Sequence, residues 1–299
     1  MKAIRIGTRG SALALWQAEH VRARLAALGQ AATIEVIVTT GDRIQDRRLE
    51  EVGGKGAFLK EIEEAMLAGQ VDLAVHSLKD VPVQLPSGLR LAATLERADP
   101  RDALLSADGR GLRALAAGAR VGTTSARRRA LLRAARADLR LEDLRGNVDT
   151  RVRKLREGRY DAIVLALAGL ARLGRASEVT EPLDTSLFVP APGQGAIVLE
   201  TREADRETSA LAARLHHAPT AQAVSAERGF LAALGGGCNA PLGAHATTEG
   251  GGLRLRAFVA AREGDGLLRG EALGAEPAEL ARRLADDFVT RGALELMGR

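Results

Sequence analysis

A single cysteine, Cys238, stands in a chain of 299 residues. One thiol can form neither an intrachain disulfide nor a multi-cysteine metal site, so no metal site is expected and the default setting is a reducing compartment. Aromatic residues are nearly as scarce, with five Phe, one Trp and one Tyr. Proteins that grip single-stranded nucleic acid stack bases on aromatic platforms, and too few rings are present to build one. No apolar run approaches the roughly 20 residues that a membrane helix needs. The N-terminus, Met1-Lys2-Ala3-Ile4-Arg5, turns polar at once. No signal peptide is therefore expected, and the cytoplasm is the expected location.

Lysine is scarce too. Five Lys leave 38 of the 43 basic residues as Arg. A GC-rich codon bias would account for part of that excess, but not for its distribution. Between Arg110 and Arg175, sixteen Arg and Lys154 stand against six acids, a local charge of +11 in a chain whose net charge is +5. A segment this basic implies a polyanionic partner. Nucleic acid is disfavoured by the shortage of aromatics and of zinc-finger cysteines. A compact ligand carrying several carboxylates fits better, because guanidinium groups bind carboxylates through paired, forked hydrogen bonds.

The hydrophobic pattern is that of α/β structure. Ala3 to Gly7 alternates as a strand, and Thr8-Arg9-Gly10-Ser11 opens a helix, with Thr8 or Ser11 as its cap, whose apolar positions include Leu13, Trp16, Val21 and Leu25. Thr33 to Thr40 is β-branched and predicts a second strand, which completes a βαβ unit and predicts a parallel sheet. Asp42 to Gly56 is polar and glycine-ended, and loops of that length are often lids. A helix is expected over 57–68 and a buried strand over 71–75. That strand ends in His76-Ser77-Leu78-Lys79-Asp80-Val81-Pro82, where open α/β sheets bind ligands.

The pattern restarts near Asp99-Pro100. Val121-Gly122 ends a strand, Thr123-Thr124-Ser125 caps an Arg-rich helix, Asn147 to Glu157 is another helix, and Ala162 to Leu167 another buried strand. Phe188 to Gly195 reads as a Pro/Gly hinge, and Ala196 to Glu200 as a strand returning to the first sheet. A helix to Leu234, alternating runs at 253–260 and 267–272, and a final helix give a small α+β region. The expected architecture is two α/β domains on the plan of periplasmic-binding-protein-like folds, joined by hinges, plus a small α+β C-terminal domain. The expected boundaries are 1–95 with 195–215, 96–194, and 216–299.

Several stretches occur together and in order: Gly7-Thr8-Arg9-Gly10-Ser11-Ala12-Leu13-Ala14-Leu15-Trp16-Gln17, Gly53-Gly54-Lys55-Gly56, His76-Ser77-Leu78-Lys79-Asp80-Val81-Pro82, Val121-Gly122-Thr123-Thr124-Ser125-Ala126-Arg127-Arg128, Leu144-Arg145-Gly146-Asn147-Val148-Asp149-Thr150-Arg151, Ala168-Gly169-Leu170, Pro190-Ala191-Pro192-Gly193-Gln194-Gly195 and Gly236-Gly237-Cys238. In these the chain resembles the porphobilinogen deaminase family. It departs at Ala12, where the family often has Pro, and at Ala126, where it often has Leu. Neither side chain would carry chemistry. The resemblance implies a transferase that condenses four porphobilinogen molecules head to tail, with loss of ammonia, into the linear tetrapyrrole hydroxymethylbilane. It implies a dipyrromethane cofactor attached by a thioether, on which the chain grows.

The resemblance also assigns roles, each with a plainer alternative. Cys238 would carry the cofactor; a lone cysteine is otherwise often a small buried hydrophobe. Asp80 would be the catalytic carboxylate; it could instead cap the turn before Val81-Pro82. Arg9, Arg127, Arg128, Arg145, Arg151 and Arg172 would pair with ligand carboxylates, where any one Arg could simply face solvent. Ser11, Ser77, Lys79, Thr123 and Ser125 would donate hydrogen bonds to cofactor or substrate, although capping alone would explain Thr123 and Ser125. His76 could tune Asp80 or be structural. Lys55 and Phe58 would close the polar loop, and Gln194 at the hinge would touch the cofactor. The expected partners are porphobilinogen and the growing polypyrrole chain, with no nucleic acid and no membrane, and the expected state is a monomer. The competing reading from the residues is a non-catalytic binder of a multiply charged anion.

Overall fold

A computed structural model of the chain describes residues 3–43, 58–236, 240–261 and 266–298. The described strands form three sheets. The chain divides into two compact units, Met1–Ala98 with Ala196–Ala221 and Asp99–Gly195 with Gln222–Arg299.

In the first unit, β1 (Ile4–Thr8), β2 (Ala32–Val36), β3 (Leu73–Ser77), β4 (Leu89–Thr94) and β10 (Ile197–Arg202) make one sheet, in the order β2-β1-β3-β10-β4. β1 is parallel to β2 and β3, and β10 is antiparallel to β3 and β4. The sheet is therefore mixed, where the βαβ pattern predicts a parallel one. β10 joins only after the chain has passed through the second unit, so no short right-handed crossover dictates its direction. The strand expected over 33–40 stops earlier. Thr8, the last residue of β1, pairs with Val36, and beyond that point β2 has no ladder to extend.

Side chains alternate across this sheet. Leu73, Val75, Ile197 and Leu199 pack with Ala18, Val21 and Leu25 of the helix Ala12–Ala27. Ala74, on the other face, packs with Ile62, Ala65 and Met66 of the helix Lys60–Leu67.

The second unit repeats the plan. β5 (Asp102–Ser106), β6 (Arg120–Gly122), β7 (Arg140–Glu142), β8 (Ala162–Ala166) and β9 (Glu181–Pro182) run in the order β7-β6-β8-β5-β9, with β5 antiparallel to β8. Leu104 and Val164 face Ala130 and Leu131 of the helix Ala126–Ala135. Leu105, Ile163 and Leu165 face Val152 and Leu155 of the helix Val148–Arg156. The same unit holds an antiparallel meander of β11 (Leu242–Glu249), β12 (Gly252–Ala260) and β13 (Leu267–Gly274). Its core includes Phe230 and Phe288, edge to face at 5.1 Å. β11 is legible only in the structure, because its run Leu-Gly-Ala-His-Ala-Thr-Thr-Glu is too small and polar to read as a strand. Among the described residues no helix is long and apolar enough to cross a membrane.

Asp72, just before β3, ties the first sheet together. It accepts from Arg5 Nε at 2.9 Å, from Arg5 Nη2 at 2.7 Å and from Arg202 Nη2 at 3.2 Å. The Arg5 hydrogen bonds lead in holding its carboxyl at about 2, against the cost of burial. A carboxyl depressed on folding stabilises the fold above its unfolded value and loses that contribution as pH falls through the folded one. Asp72→Asn should therefore melt lower than the parent at neutral pH, and its melting temperature should fall less between pH 4 and 2. Thermal melts across that range check both.

Candidate active site

β1 and β3 are parallel neighbours, so both end at one edge of the first sheet. After β1 the chain enters the helix Ala12–Ala27 through Arg9-Gly10-Ser11. Ser11 is the N-cap, its Oγ accepting from Ala14 N at 3.3 Å. Thr8, the other candidate cap, instead donates its Oγ1 to Ala14 O at 3.2 Å. After β3 the chain makes one 3₁₀ turn, Leu78–Asp80. Leu78 N to Ala196 O at 3.0 Å and Val81 N to Leu78 O at 3.1 Å pin that turn. Lys79 and Asp80 lie on it.

These segments line an open pocket whose residues include Arg9, Ser11, Gln17, Phe58, His76, Ser77 and Asp80. The Arg9 guanidinium lies 4.1 Å over the Phe58 ring, which holds the charge at the pocket wall. Gln17 Nε2 donates to Ser77 Oγ at 2.8 Å. Gln17 ends the first motif stretch, but the sequence gives it no role, because its partner lies 60 residues away.

The Arg-rich residues belong to the second unit. Ser125 caps the helix Ala126–Ala135, its Oγ accepting from Arg128 N, and Thr123 Oγ1 accepts from Ser125 N at 3.2 Å. Arg127 and Arg128, at the start of that helix, point inward to Asp102 on β5. Arg127 Nη2 donates to Asp102 Oδ2 at 2.7 Å and Arg128 Nη2 to Asp102 Oδ1 at 2.8 Å. Arg128 Nε also donates to Asp102 Oδ1 at 3.1 Å, and both side chains donate to backbone carbonyls, Arg127 to Val189 O at 2.8 Å and Arg128 to Val164 O at 3.0 Å. Gln194 Nε2 joins the same carboxylate at 3.0 Å. Burial alone would raise the Asp102 carboxyl, but the two guanidinium groups hold it far below the usual carboxylate range. Burial lowers Arg127, opposed by Asp102. Arg127, Arg128 and Gln194 thus form one interior network.

Arg151 Nε donates to Gly146 O at 2.7 Å, and Lys154 Nζ to Arg145 O at 3.1 Å, so Arg145 and Arg151 flank one turn. Gly146 has φ +111 in that turn. Arg172 Nη2 donates to Gly195 O at 2.7 Å, and burial pushes its guanidinium down to about 10. Arg129 and Arg136 pair with the exposed Asp143 and Asp138 and also donate to backbone carbonyls, Arg129 to Leu141 O at 3.0 Å and Arg136 to Leu112 O at 3.0 Å. Lys55 and Cys238 lie outside the described residues, as does most of the polar stretch expected to be a lid.

Two acids of the second unit have no counterpart in the sequence reading. Asp102 is one. The other is Glu227, fully buried, which accepts from Gly193 N at 2.7 Å and Ala246 N at 2.8 Å. It fixes the Pro/Gly stretch that carries Gln194. An acid inside an apolar strand or helix signals a distant partner, but not which one.

In the first unit, a cation, hydroxyls and a carboxylate at the strand ends can bind an anionic substituent while presenting Asp80 to a positive charge. Comparison with known proteins bears on the chemistry. Residues 4–210 match the family model "Porphobilinogen deaminase, dipyromethane cofactor binding domain", and residues 221–290 match "Porphobilinogen deaminase, C-terminal domain". A porphobilinogen deaminase of Roseiflexus sp. (strain RS-1) is 51% identical over 297 residues, spanning 98% of this chain and 97% of that one. One of Syntrophobacter fumaroxidans is 47% identical over 300 residues, spanning 99% and 97%. Among solved structures, a periplasmic substrate-binding protein of an ABC transporter from Coxiella burnetii is 16% identical with a TM-score of 0.45, covering 73% of this chain and 93% of that one.

Removing the Asp102 charge should leave two buried guanidinium groups without a counter-ion. Breaking a buried pair this way costs about 3–5 kcal/mol. Asp102→Asn should lose that much stability in urea unfolding, while Arg282→Gln, which breaks the exposed pair with Asp286, should lose about 1 kcal/mol or less.

Proposed function

The chain belongs to the porphobilinogen deaminase family, and from that premise we propose which of its residues carry the family's reaction. The activity is that of a hydroxymethylbilane synthase. Four porphobilinogen molecules are condensed head to tail, with loss of ammonia, into a linear tetrapyrrole of haem biosynthesis. The cofactor is a dipyrromethane, which when bound supplies the anchored pyrrole end from which the chain grows.

Asp80 carries the chemistry in this reading. Loss of ammonia breaks the substrate's C–N bond, the electron pair leaves with nitrogen, and positive charge spreads over the substrate pyrrole. A fixed carboxylate stabilises that charge as it develops. It can also hold the pyrrole N–H and pass protons. The observation that supports Asp80 most is its place: one pocket, at the carboxyl edge of the sheet, with Arg9 and Ser11 in the same wall. Each porphobilinogen brings an acetate and a propionate, and Arg9, Ser11, Ser77 and Lys79 would hold those of the substrate.

The donor set of the second unit fits a dipyrromethane with its own acetates and propionates. Thr123 and Ser125 stand at a helix N-terminus, a setting that favours anions. Burial lowers the basicity of Arg172, and a neighbouring carboxylate would restore it. Arg127, Arg128, Arg145, Arg151, Arg172, Thr123, Ser125 and Gln194 would therefore hold the cofactor and the growing chain. Cys238 would attach it by a thioether, since it is the one thiol and follows three glycines. Lys55 would close over the site. By region, 1–95 with 195–215 serves catalysis, 96–194 anion binding, and 216–299 cofactor attachment. We propose a cytoplasmic monomer that takes no nucleic acid.

Asp80→Asn tests the assignment. Asparagine caps a turn as well as aspartate does. A capping residue would therefore leave turnover near normal, which would overturn the reading. The catalytic role predicts an unchanged melting temperature, retained cofactor, and a fall in kcat of about 10²-fold or more.

A further inference from the structure

Beneath the pocket lies an ionisable cluster to which the reaction as described gives no task. His76 on β3 pairs with Val198 on β10, two residues from Glu200, so His76 and Glu200 project from the same sheet face. His76 Nε2 is 2.9 Å from Glu200 Oε2. The helix Lys60–Leu67 covers that face and places Glu63 within electrostatic reach of both. Glu200 is 0% exposed, His76 7% and Glu63 8%. Oε1 of Glu63 and Oε1 of Glu200 have no hydrogen-bond partner among the described residues.

Two carboxylates against one imidazole leave net negative charge in the interior, whichever state the ring adopts. Uncompensated buried charge is strongly unfavourable, and a retained proton reduces it by one. Burial, then the Glu200 charge, raises the Glu63 carboxyl, and His76 opposes them. The other charges that face this cluster are few. Arg9 and Asp80 share the pocket wall with His76. Glu61, on the same helix as Glu63, is engaged with Thr40 N at 2.7 Å.

We propose that Glu63, His76 and Glu200 are positioning residues for Asp80: they share one proton, and so lock His76 into the pocket wall together with the β3 end from which Ser77 and Asp80 project. The proposal rests on the role given to Asp80 above. It assigns the cluster no contact with substrate.

The test uses the full-length holoenzyme, Glu63→Gln and Glu200→Gln. The infrared spectrum of the parent at neutral pH should show a protonated carboxyl band that Glu63→Gln lacks. A carboxyl raised on folding stabilises at low pH and loses that contribution as pH rises through the raised value. Glu63→Gln, the neutral isostere, should therefore gain on the parent in melting temperature as pH rises from about 5 to 8. Glu200→Gln should lower kcat on porphobilinogen by up to about 10²-fold, with KM little changed and an altered pH profile. If it fails to fold, His76→Gln supplies the kinetic arm.

Absence of the infrared band, or parallel melting curves, would overturn the shared proton. Superimposable kcat profiles would overturn positioning. Full activity in Asp80→Asn would defeat the role of Asp80 alone and leave the infrared and melting results to stand on their own.

Discussion

One buried carboxylate, Asp102, organises the Arg-rich half of the molecule. A segment with a local charge of +11 can pack a core only if its innermost cations have a counter-ion, because an unpaired guanidinium loses its hydration on burial. Asp102 has no exposed surface and meets Arg127, Arg128 and Gln194 at once. Those three residues come from a helix start and from the Pro/Gly stretch. The position of the helix Ala126–Ala135, and hence of the Ser125 cap, follows from this carboxylate. Two cations on one anion leave the network net positive. The proposed function assigns that excess, with Arg145, Arg151 and Arg172, to the carboxylates of the cofactor and the growing chain.

The two α/β sheets use the same device twice. In each, the strand that starts a βαβ unit runs into a Gly-Thr sequence and a serine N-cap: Gly7-Thr8 leads to Ser11, and Gly122-Thr123 to Ser125. In each, an antiparallel strand occupies the fourth position, β10 in one and β5 in the other. The repeat gives both units an oxygen-rich, N–H-rich strand end, which the proposed function assigns to anionic groups. In the first unit Asp80 adds a carboxylate there, which the proposed function sets against a cation.

Much of this was legible in the sequence. The strand ends, the two serine caps and the motif residues are local features, written within a few positions of one another. The acids that hold the motifs in place were not legible. Asp102 reaches Gln194 across 92 residues, and Glu200 reaches His76 across 124. Such a residue is one polar letter in an apolar strand, with nothing nearby to name its partner. The same holds for Glu227, which serves a glycine N–H 34 positions away. Short strands were also missed: β4, β5 and β11 carry few β-branched residues and emerge only from pairing. The direction of β10 was hidden because it depends on a return across the chain, not on its own composition.

The account stands on a polypyrrole chain anchored to this protein and held by its carboxylates. The intact mass of the purified enzyme tests that most directly, with peptide mapping of the adduct. The account predicts a mass one dipyrromethane above that of the chain, located on the peptide that contains Cys238, and absent from Cys238→Ser. An unmodified mass that persists after incubation with porphobilinogen, or an adduct on any other residue, would contradict it.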